Sequence, residues 1–357
     1  MENLYFHKEL FTHFFSWLLG KYKPSGLNEK LFEDPRDFKI GIFGWGEYKG
    51  KYRFKLIPTR RVINQGSFNT CQWCASTVIK EVDEKCDLAE NSIVTKGLTL
   101  GMITGNGFSN LDSGDNVMRD WGIVEANKID NDYSSYDWRA YTGKNIMIDK
   151  FKDNAGMHKI ASYWQCKKRG DILKLLDDGK MLKTAFPWYS GFNQSGGFKA
   201  PWIISKAVGY FNGYHCVAKK GYIFGYKGID ANKKLIIGPG GSDVFVYQNS
   251  YGENWGATVI DDQGLTHKGL FFVTMDFFDK VGWDCIANLD MPLDVAKLII
   301  QYNNLNVKCN ESPQIFLIQN GTKRQYLTPG ALAKSASDCL IVSKTVLDNV
   351  PYGPSIS

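Results

Sequence analysis

The sequence predicts an α+β fold in which a helix-rich half precedes a strand-rich half, on three observations. Between residues 71 and 179 apolar residues recur at helical spacing. After residue 180 the chain turns to short apolar runs broken by glycine: "GYHCVAKKGYIFGYKG", "KKLIIGPGG", "DVFVYQNSYG" and "GLFFVTM". With 43% hydrophobic and 14% aromatic content, 357 residues suffice to bury a core in two or three units. In such an arrangement a site lies between the halves.

The elements follow in order. Residues 4–22 place Phe6, Leu10, Phe14, Trp17 and Leu18 on one helical face, and 23–37 read as a connector. "FKIGIFGW" and "KYRFKLIP" are short strands around a Gly-rich turn. From Cys71 to about Cys86, the spacing of Cys74, Val78 and Val82 gives a helix with one buried face. A second helix fits 116–122, ended by Gly122, and a third fits 169–179. A break follows residues 290–313. "QIFLIQ", Asn320-Gly321 and "KRQYL" then read as a hairpin, followed by a Thr-Pro helix start and the segments "CLIVS" and "TVLDNVP". The expected division is an N-terminal extension (1–57), a main domain (58–295) and a small C-terminal α+β module (310–357).

Several function classes fall away. The net charge of +6 is mild and spread out, and its densest piece, "QCKKRG" (165–170), reads as a solvated face, so no nucleic-acid partner is expected. No stretch reaches the length of a membrane span. "LFTHFFSWLL" (10–19) lacks a small-residue cleavage site and reads as an amphipathic helix, so no signal peptide is expected. The opening "ENLYF" resembles part of a protease tag site, but His7 follows it and it is read as native. Eight cysteines, dilute and irregularly spaced, are expected as reduced thiols.

"NQGSFNTCQWCAST" (64–77) carries the chemistry. Zinc would need a second pair of thiolates or histidines at ligand spacing, and the chain has no other C-x-x-C and no H-x-x-x-H. A redox pair would follow an apolar strand, whereas "NQGSFNT" is a polar loop. The third reading makes Cys71 a nucleophile in the first turn of a helix, where the dipole and unpaired N–H groups favour a thiolate. Cys74, one turn on, is then a core filler. Gln65, six residues upstream, is placed to offer its amide as an oxyanion donor. Singly, each of these polar residues fits a surface or capping role; their arrangement makes the case.

Gln65-Gly66-Ser67, with Cys71 six residues after the glutamine, resembles the approach to the nucleophile in papain-like cysteine peptidases. "GYHCVAKKGY" (213–222) is similar to that family's histidine strand, and "QNSYGENWG" (248–256) to its N-S-W-G-x-x-W-G. The three motifs come in the family's order across nearly 200 residues. The resemblance implies a two-lobed α+β fold with a helical lobe and an antiparallel β-barrel-like lobe. It implies Cys71 as nucleophile, His215 as acid/base, Asn249 as the residue orienting His215, and Gln65 as the completion of the oxyanion hole. "GNGFSNLDSGDNVMRDWGIV" (105–124) resembles the substrate loop and following helix, with Gly107, Phe108 and Ser109 as the edge that pairs with substrate backbone. Tyr251 and Trp255 complete the substrate-binding candidates. The competing reading of the 105–109 stretch is a plain glycine turn before a helix.

The chain departs from the family pattern in places. Gln72 stands where the family has Trp, with Trp73 displaced by one, and Tyr251 replaces the Trp that shields the His–Asn bond. Tyr214 precedes His215 where Asp or Asn is common, and Phe68 replaces a disulfide cysteine. Residues 223–243 look like an inserted hairpin, and "GPGGS" (238–242) is a turn within it. "DWR" (137–139) imitates the family's mature N-terminus but lies after the nucleophile. His7, His13, His158 and His267 are expected at the surface.

The expected function is peptide-bond hydrolysis through a thioester on Cys71, with a polypeptide substrate and with no cofactor and no metal. The alternatives are a catalytically silent papain-fold binding or structural protein, as in a phage particle, and a cell-wall peptide hydrolase. The C-terminal segment resembles small bacterial or phage-associated modules, which implies anchoring or binding. The N-terminal helix is expected to occlude the groove, pack on its own domain or dock on a partner. The expected location is cytoplasmic or virion-associated.

Overall fold

The computed structural model describes residues 48–105, 107–129, 147–166, 168–192, 199–281 and 284–290, strands at 26–27 and 38–39, Thr142, and short pieces between 306 and 356. The strands are β1 (Gly26–Leu27), β2 (Phe38–Lys39), β3 (Phe54–Leu56), β4 (Ile160–Cys166), β5 (Leu182–Tyr189), β6 (Ile203–Ile204), β7 (Phe211–Ile229) and β8 (Leu235–Ile237). They continue with β9 (Ser242–Gln248), β10 (Ala257–Ile260), β11 (Thr266–Thr274), β12 (Asp284–Asp290), β13 (Asn306–Lys308), β14 (Phe316–Gln319), β15 (Thr322–Gln325) and β16 (Leu340–Ile341). The helices among the described residues are α1 (Cys71–Glu84), α2 (Glu90–Thr99), α3 (Ser113–Asp120), α4 (Lys152–Met157), α5 (Arg169–Asp177) and α6 (Met275–Val281).

Helices dominate before residue 180 and strands after it, as the sequence pattern predicts. The three helices read from periodicity form as α1, α3 and α5, with α3 starting at Ser113, three residues early. The expected insertion is a hairpin: β7 runs on to Ile229, turns back through β8, and the chain returns in β9. The helix expected at 4–22, "DWR" and the Thr-Pro helix start lie outside the described residues. So does Asn320-Gly321, although β14 and β15 on either side of it pair antiparallel, Gln319 facing Thr322.

Most strands join one sheet in the order β10-β11-β9-β7-β5-β12-β4-β2, with β1, β3 and β8 also on β7 and β6 on β11. Its path is open, and no closed barrel forms among the described residues. A second, four-stranded sheet runs β15-β14-β13-β16. The long strand β7 lies centrally between β5 and β9, which fixes what surrounds its residues: Phe186 of β5 faces His215, and Gln248 of β9 faces Ala218.

Helix α1 is shared by two cores. Cys74, Val78 and Ile79 pack with the sheet residues Phe186, Trp188, Tyr247 and Phe271. Cys71, Trp73 and Ala75 face the other way, into the cluster that holds Ile93, Val94, Val117 and Met118 of α2 and α3. A helix apolar on both sides is a buried helix, so the single buried face read from Cys74, Val78 and Val82 is half of its contact surface. Trp73 fits only because position 97 is glycine: a Cβ there would stand 2.4 Å from Cη2 of the Trp73 ring. The lobes are also joined by a fully buried ion pair between Lys183 of β5 and Asp115 of α3. Ser76 of α1 and Asn288 of β12 hydrogen-bond to the same Asp115. Breaking such a pair from one side leaves an uncompensated buried charge.

Candidate active site

Cys71 is the first residue of α1 and is fully buried. Its sulfur is placed to accept from the backbone N–H groups of Cys216, Gln72 and Cys71 itself. Two of these N–H groups belong to the first turn of a helix, and the third comes from β7. Burial nevertheless dominates and pushes the thiol up to about 12; the three N–H groups and the charge of Lys183 work against it. In this conformation the thiol is therefore protonated at neutral pH. Cys74, one turn on, is buried, 3.8 Å from the Thr70 hydroxyl, and its thiol is pushed up well above its ordinary value, chiefly by burial. It is a packing residue, as its spacing suggests.

The donor from Cys216 places the peptide that follows His215 against the Cys71 sulfur. His215 Nε2 lies 2.8 Å from Asn249 Oδ1. That oxygen also accepts the Ser250 backbone N–H at 2.8 Å, which fixes which end of the amide faces the ring. An acceptor opposite Nε2 makes Nε2 the protonated nitrogen of neutral imidazole and leaves Nδ1 as its basic one. Asn249 is delivered by register: β9 ends at Gln248, opposite Ala218, and the next residues run back along β7 toward His215.

Gln65 is locked at both ends. Ser250 Oγ donates to Gln65 Oε1 at 2.5 Å, and Gln65 Nε2 donates to the Phe68 carbonyl at 2.8 Å. The segment itself is held by Gln65 N–H to the Ser250 carbonyl at 2.9 Å and by the Asn64–Tyr251 bridge. One of the two amide hydrogens on Nε2 is committed to Phe68, and the other is the candidate oxyanion donor.

The His215–Asn249 bond sits in an aromatic enclosure. Tyr251 stacks on the His215 ring at 5.1 Å, and Trp188 meets the same ring edge-on at 4.7 Å. Trp255 packs against both, at 5.6 Å from Tyr251 and 6.3 Å from Trp188. Excluding water strengthens the buried hydrogen bond. Sequence reasoning missed Trp188: it belongs to no motif, and it reaches His215 only because β5 pairs with β7 in this register. The Cys216 N–H was also missed, since a backbone donor leaves no mark on residue type.

No known family model matches the chain, and no curated protein does. Among solved structures, xylellain, a cysteine protease from Xylella fastidiosa, superposes with a TM-score of 0.55 at 15% identity, over 75% of this chain and 97% of its own. Digestive procathepsin L 3 of Tenebrio molitor gives 0.50 at 12% identity, over 77% of this chain and 78% of its own. A structure from work on the mite allergens Blo t 1 and Der p 1 also gives 0.50, at 15% identity, covering 76% and 82%. The fold is papain-like.

Within this papain-like fold the remaining candidates take distinct places. Gly107 has φ +112°, and a Cβ on it would meet the Asn69 carbonyl carbon at 2.9 Å. The loop therefore lies against the backbone that leads into Cys71, which a plain surface turn would not require. Phe108 exchanges both backbone hydrogen bonds with Thr104, at 2.8 and 3.0 Å. Ser109 is fully buried and accepts from Gln72 Nε2 at 3.0 Å, so the glutamine that replaces the family's Trp ties α1 to this loop. Strand β1 pairs antiparallel with β7, Gly26 facing His215 and Leu27 facing Tyr214.

Two histidines expected at the surface are buried. His158 lies between Glu84 and Glu125, and His267 is 2.9 Å from Asp261. Flanking polarity suggested exposure, but ion pairing lets a polar stretch fold inward. His7 and His13 lie outside the described residues. No helix among them is long and apolar enough to cross a membrane.

Proposed function

We propose that the protein is a cysteine peptidase that cleaves peptide bonds through a thioester on Cys71. The observation that carries this reading is the convergence of Gln65, Cys71, His215 and Asn249, from three separate stretches, with one hydrogen-bond pattern around them. His215 Nδ1 takes the Cys71 proton, and the thiolate sulfur attacks the carbonyl carbon of the scissile bond. The oxyanion that forms is held by the Cys71 N–H and the second hydrogen of Gln65 Nε2. The imidazolium returns its proton to the leaving amine, and water, deprotonated by His215, hydrolyses the thioester. Asn249 keeps the ring in the Nε2–H tautomer throughout.

The pairing of β1 with β7 supports a polypeptide substrate, since an extended chain already hydrogen-bonds beside His215. It also fits a latent state, in which this strand lies alongside His215 while Cys71 is fully buried. The test is hydrolysis of an unfolded protein and of cell-wall muropeptides by wild type, Cys71→Ala and His215→Ala. Turnover of the unfolded protein, abolished in both variants, is expected. Turnover of muropeptides alone would assign the cell-wall reading, and no turnover of either after removal of residues 1–30 would favour a catalytically silent scaffold.

A further inference from the structure

Outside the active site, three side chains with metal-binding atoms converge at the far end of α1. Helix α1 ends at Glu84, Lys85 adopts the left-handed conformation with φ +58°, and the chain turns so that Cys86 comes back beside Glu84. His158, just after α4, closes the group. One donor atom from each of Glu84, Cys86 and His158 lies within 4.8 Å of the others, and Glu84 Oε2 is 3.1 Å from His158 Nδ1. Bonds of 2.0–2.3 Å from a tetrahedral cation to O, N and S put donor atoms about 3.3–3.6 Å apart. The Glu84–His158 pair, at 3.1 Å, already stands near that spacing.

A second observation points the same way. His158 Nε2, the nitrogen turned away from Glu84, faces Glu125 Oε1 at 3.3 Å, and Asn154 Nδ2 braces that same oxygen at 3.2 Å. A ligating histidine almost always gives its other N–H to a carboxylate, which fixes the tautomer and raises the basicity of the metal-binding nitrogen.

We infer that Glu84, Cys86 and His158 form a binding site for a zinc-class divalent cation, with Glu125 orienting His158 and water completing four-coordination. The mix of thiolate, imidazole and carboxylate suits such a cation and does not suit calcium or magnesium. Charge balance agrees. Lys80 lies 2.6 Å from Glu84 Oε1 and supplies one positive charge at the cluster. With metal, the two carboxylates and a thiolate carry three negative charges, which Lys80 and a divalent cation neutralise. Glu81 on α1, Arg60, whose charge acts on Cys86, and Lys128 beyond Glu125 also face the cluster.

The test uses the full chain carrying Cys71→Ser, so that the active-site thiol cannot ligate, titrated with Co²⁺ under reducing conditions. A thiolate-to-cobalt charge-transfer band saturating at one equivalent is expected, with Zn²⁺ displacing it. Cys86→Ser should abolish the band, His158→Gln should weaken binding at least tenfold, and Glu125→Gln should weaken it about 10–100-fold. Zn²⁺ should raise the unfolding midpoint of the Cys71→Ser protein and not that of Cys71→Ser/Cys86→Ser. No band in tenfold excess Co²⁺, a band that survives Cys86→Ser, or affinity indifferent to His158→Gln would each overturn the assignment. In those cases the cluster is an ion-paired clasp alone.

Discussion

In a Gln65→Ala variant the oxyanion site keeps the Cys71 N–H and loses its side-chain donor. The amide of Gln65 is held by Ser250 at 2.5 Å on one end and by the Phe68 carbonyl at 2.8 Å on the other. Its free hydrogen is therefore pre-aimed, and the loss is that of one oriented donor at a developing charge. Removal of such a donor costs about 2.7–4 kcal/mol, or 10²–10³ in kcat. Ser250→Ala leaves the donor in place and removes one neutral hydrogen bond that orients it. That is worth about 0.5–1.5 kcal/mol, a fall of about 2–10-fold. The assay measures kcat and KM separately on a peptide substrate, alongside the unfolding midpoint. For Gln65→Ala, kcat should fall with KM nearly unchanged and the fold intact. A Gln65→Ala kcat within about threefold of wild type, under 1 kcal/mol, would refute the oxyanion role, as would a larger loss in Ser250→Ala than in Gln65→Ala.

Three further outcomes are expected. Tyr251→Ala uncovers the His215–Asn249 bond on its stacked side and should lower kcat/KM about tenfold, the scale of one hydrogen bond surrendered to water; Tyr251→Phe should retain most of the rate. In the presence of a chelator, the His158 clasp contributes fully below about pH 6.5, and its contribution is lost as pH rises through the folded-state value, which stands higher. The midpoint difference between wild type and His158→Gln should therefore shrink from pH 5.5 to 8.5, and a constant or growing difference would contradict the ion-pair geometry. Removal of residues 1–30 takes away β1 and should speed Cys71 alkylation at pH 6 by about tenfold or more if the covering is worth 1.4 kcal/mol; an unchanged rate would mean that β1 does not guard the site.

Much of the candidate site was legible because the chemistry proposed for it depends on side-chain type at fixed spacing. Gln65, Cys71, His215 and Asn249 stand out for that reason, and the strand that carries His215 was visible in its glycines and apolar alternation. What the sequence concealed depends on register and on backbone. Trp188 reaches His215 only through the β5–β7 pairing, and the Cys216 donor belongs to the main chain. The Lys183–Asp115 pair joins residues that a solvated-face reading would place outside. His158 was hidden for a related reason: its partners, Glu84 and Glu125, are 74 and 33 residues away. Helix α1 showed only one of its buried faces, because the other includes Trp73, whose place depends on the bare glycine at 97.

The exposure of the thiols provides the most direct test of the central claim. Cys86 is partly exposed, whereas Cys71, Cys74, Cys166, Cys216 and Cys285 are buried. Ordinary accessibility thus predicts that a thiol-directed alkylating agent reaches Cys86 first among them. Activation by His215 predicts the reverse once β1 is removed. Site-resolved mass spectrometry of the chain lacking residues 1–30, treated with substoichiometric iodoacetamide at pH 6 in a chelator, should find the label on Cys71 and lose it from Cys71 when the same chain carries His215→Ala. Label that appears first on Cys86 or Cys74, or that stays on Cys71 at an unchanged rate without His215, would contradict the account.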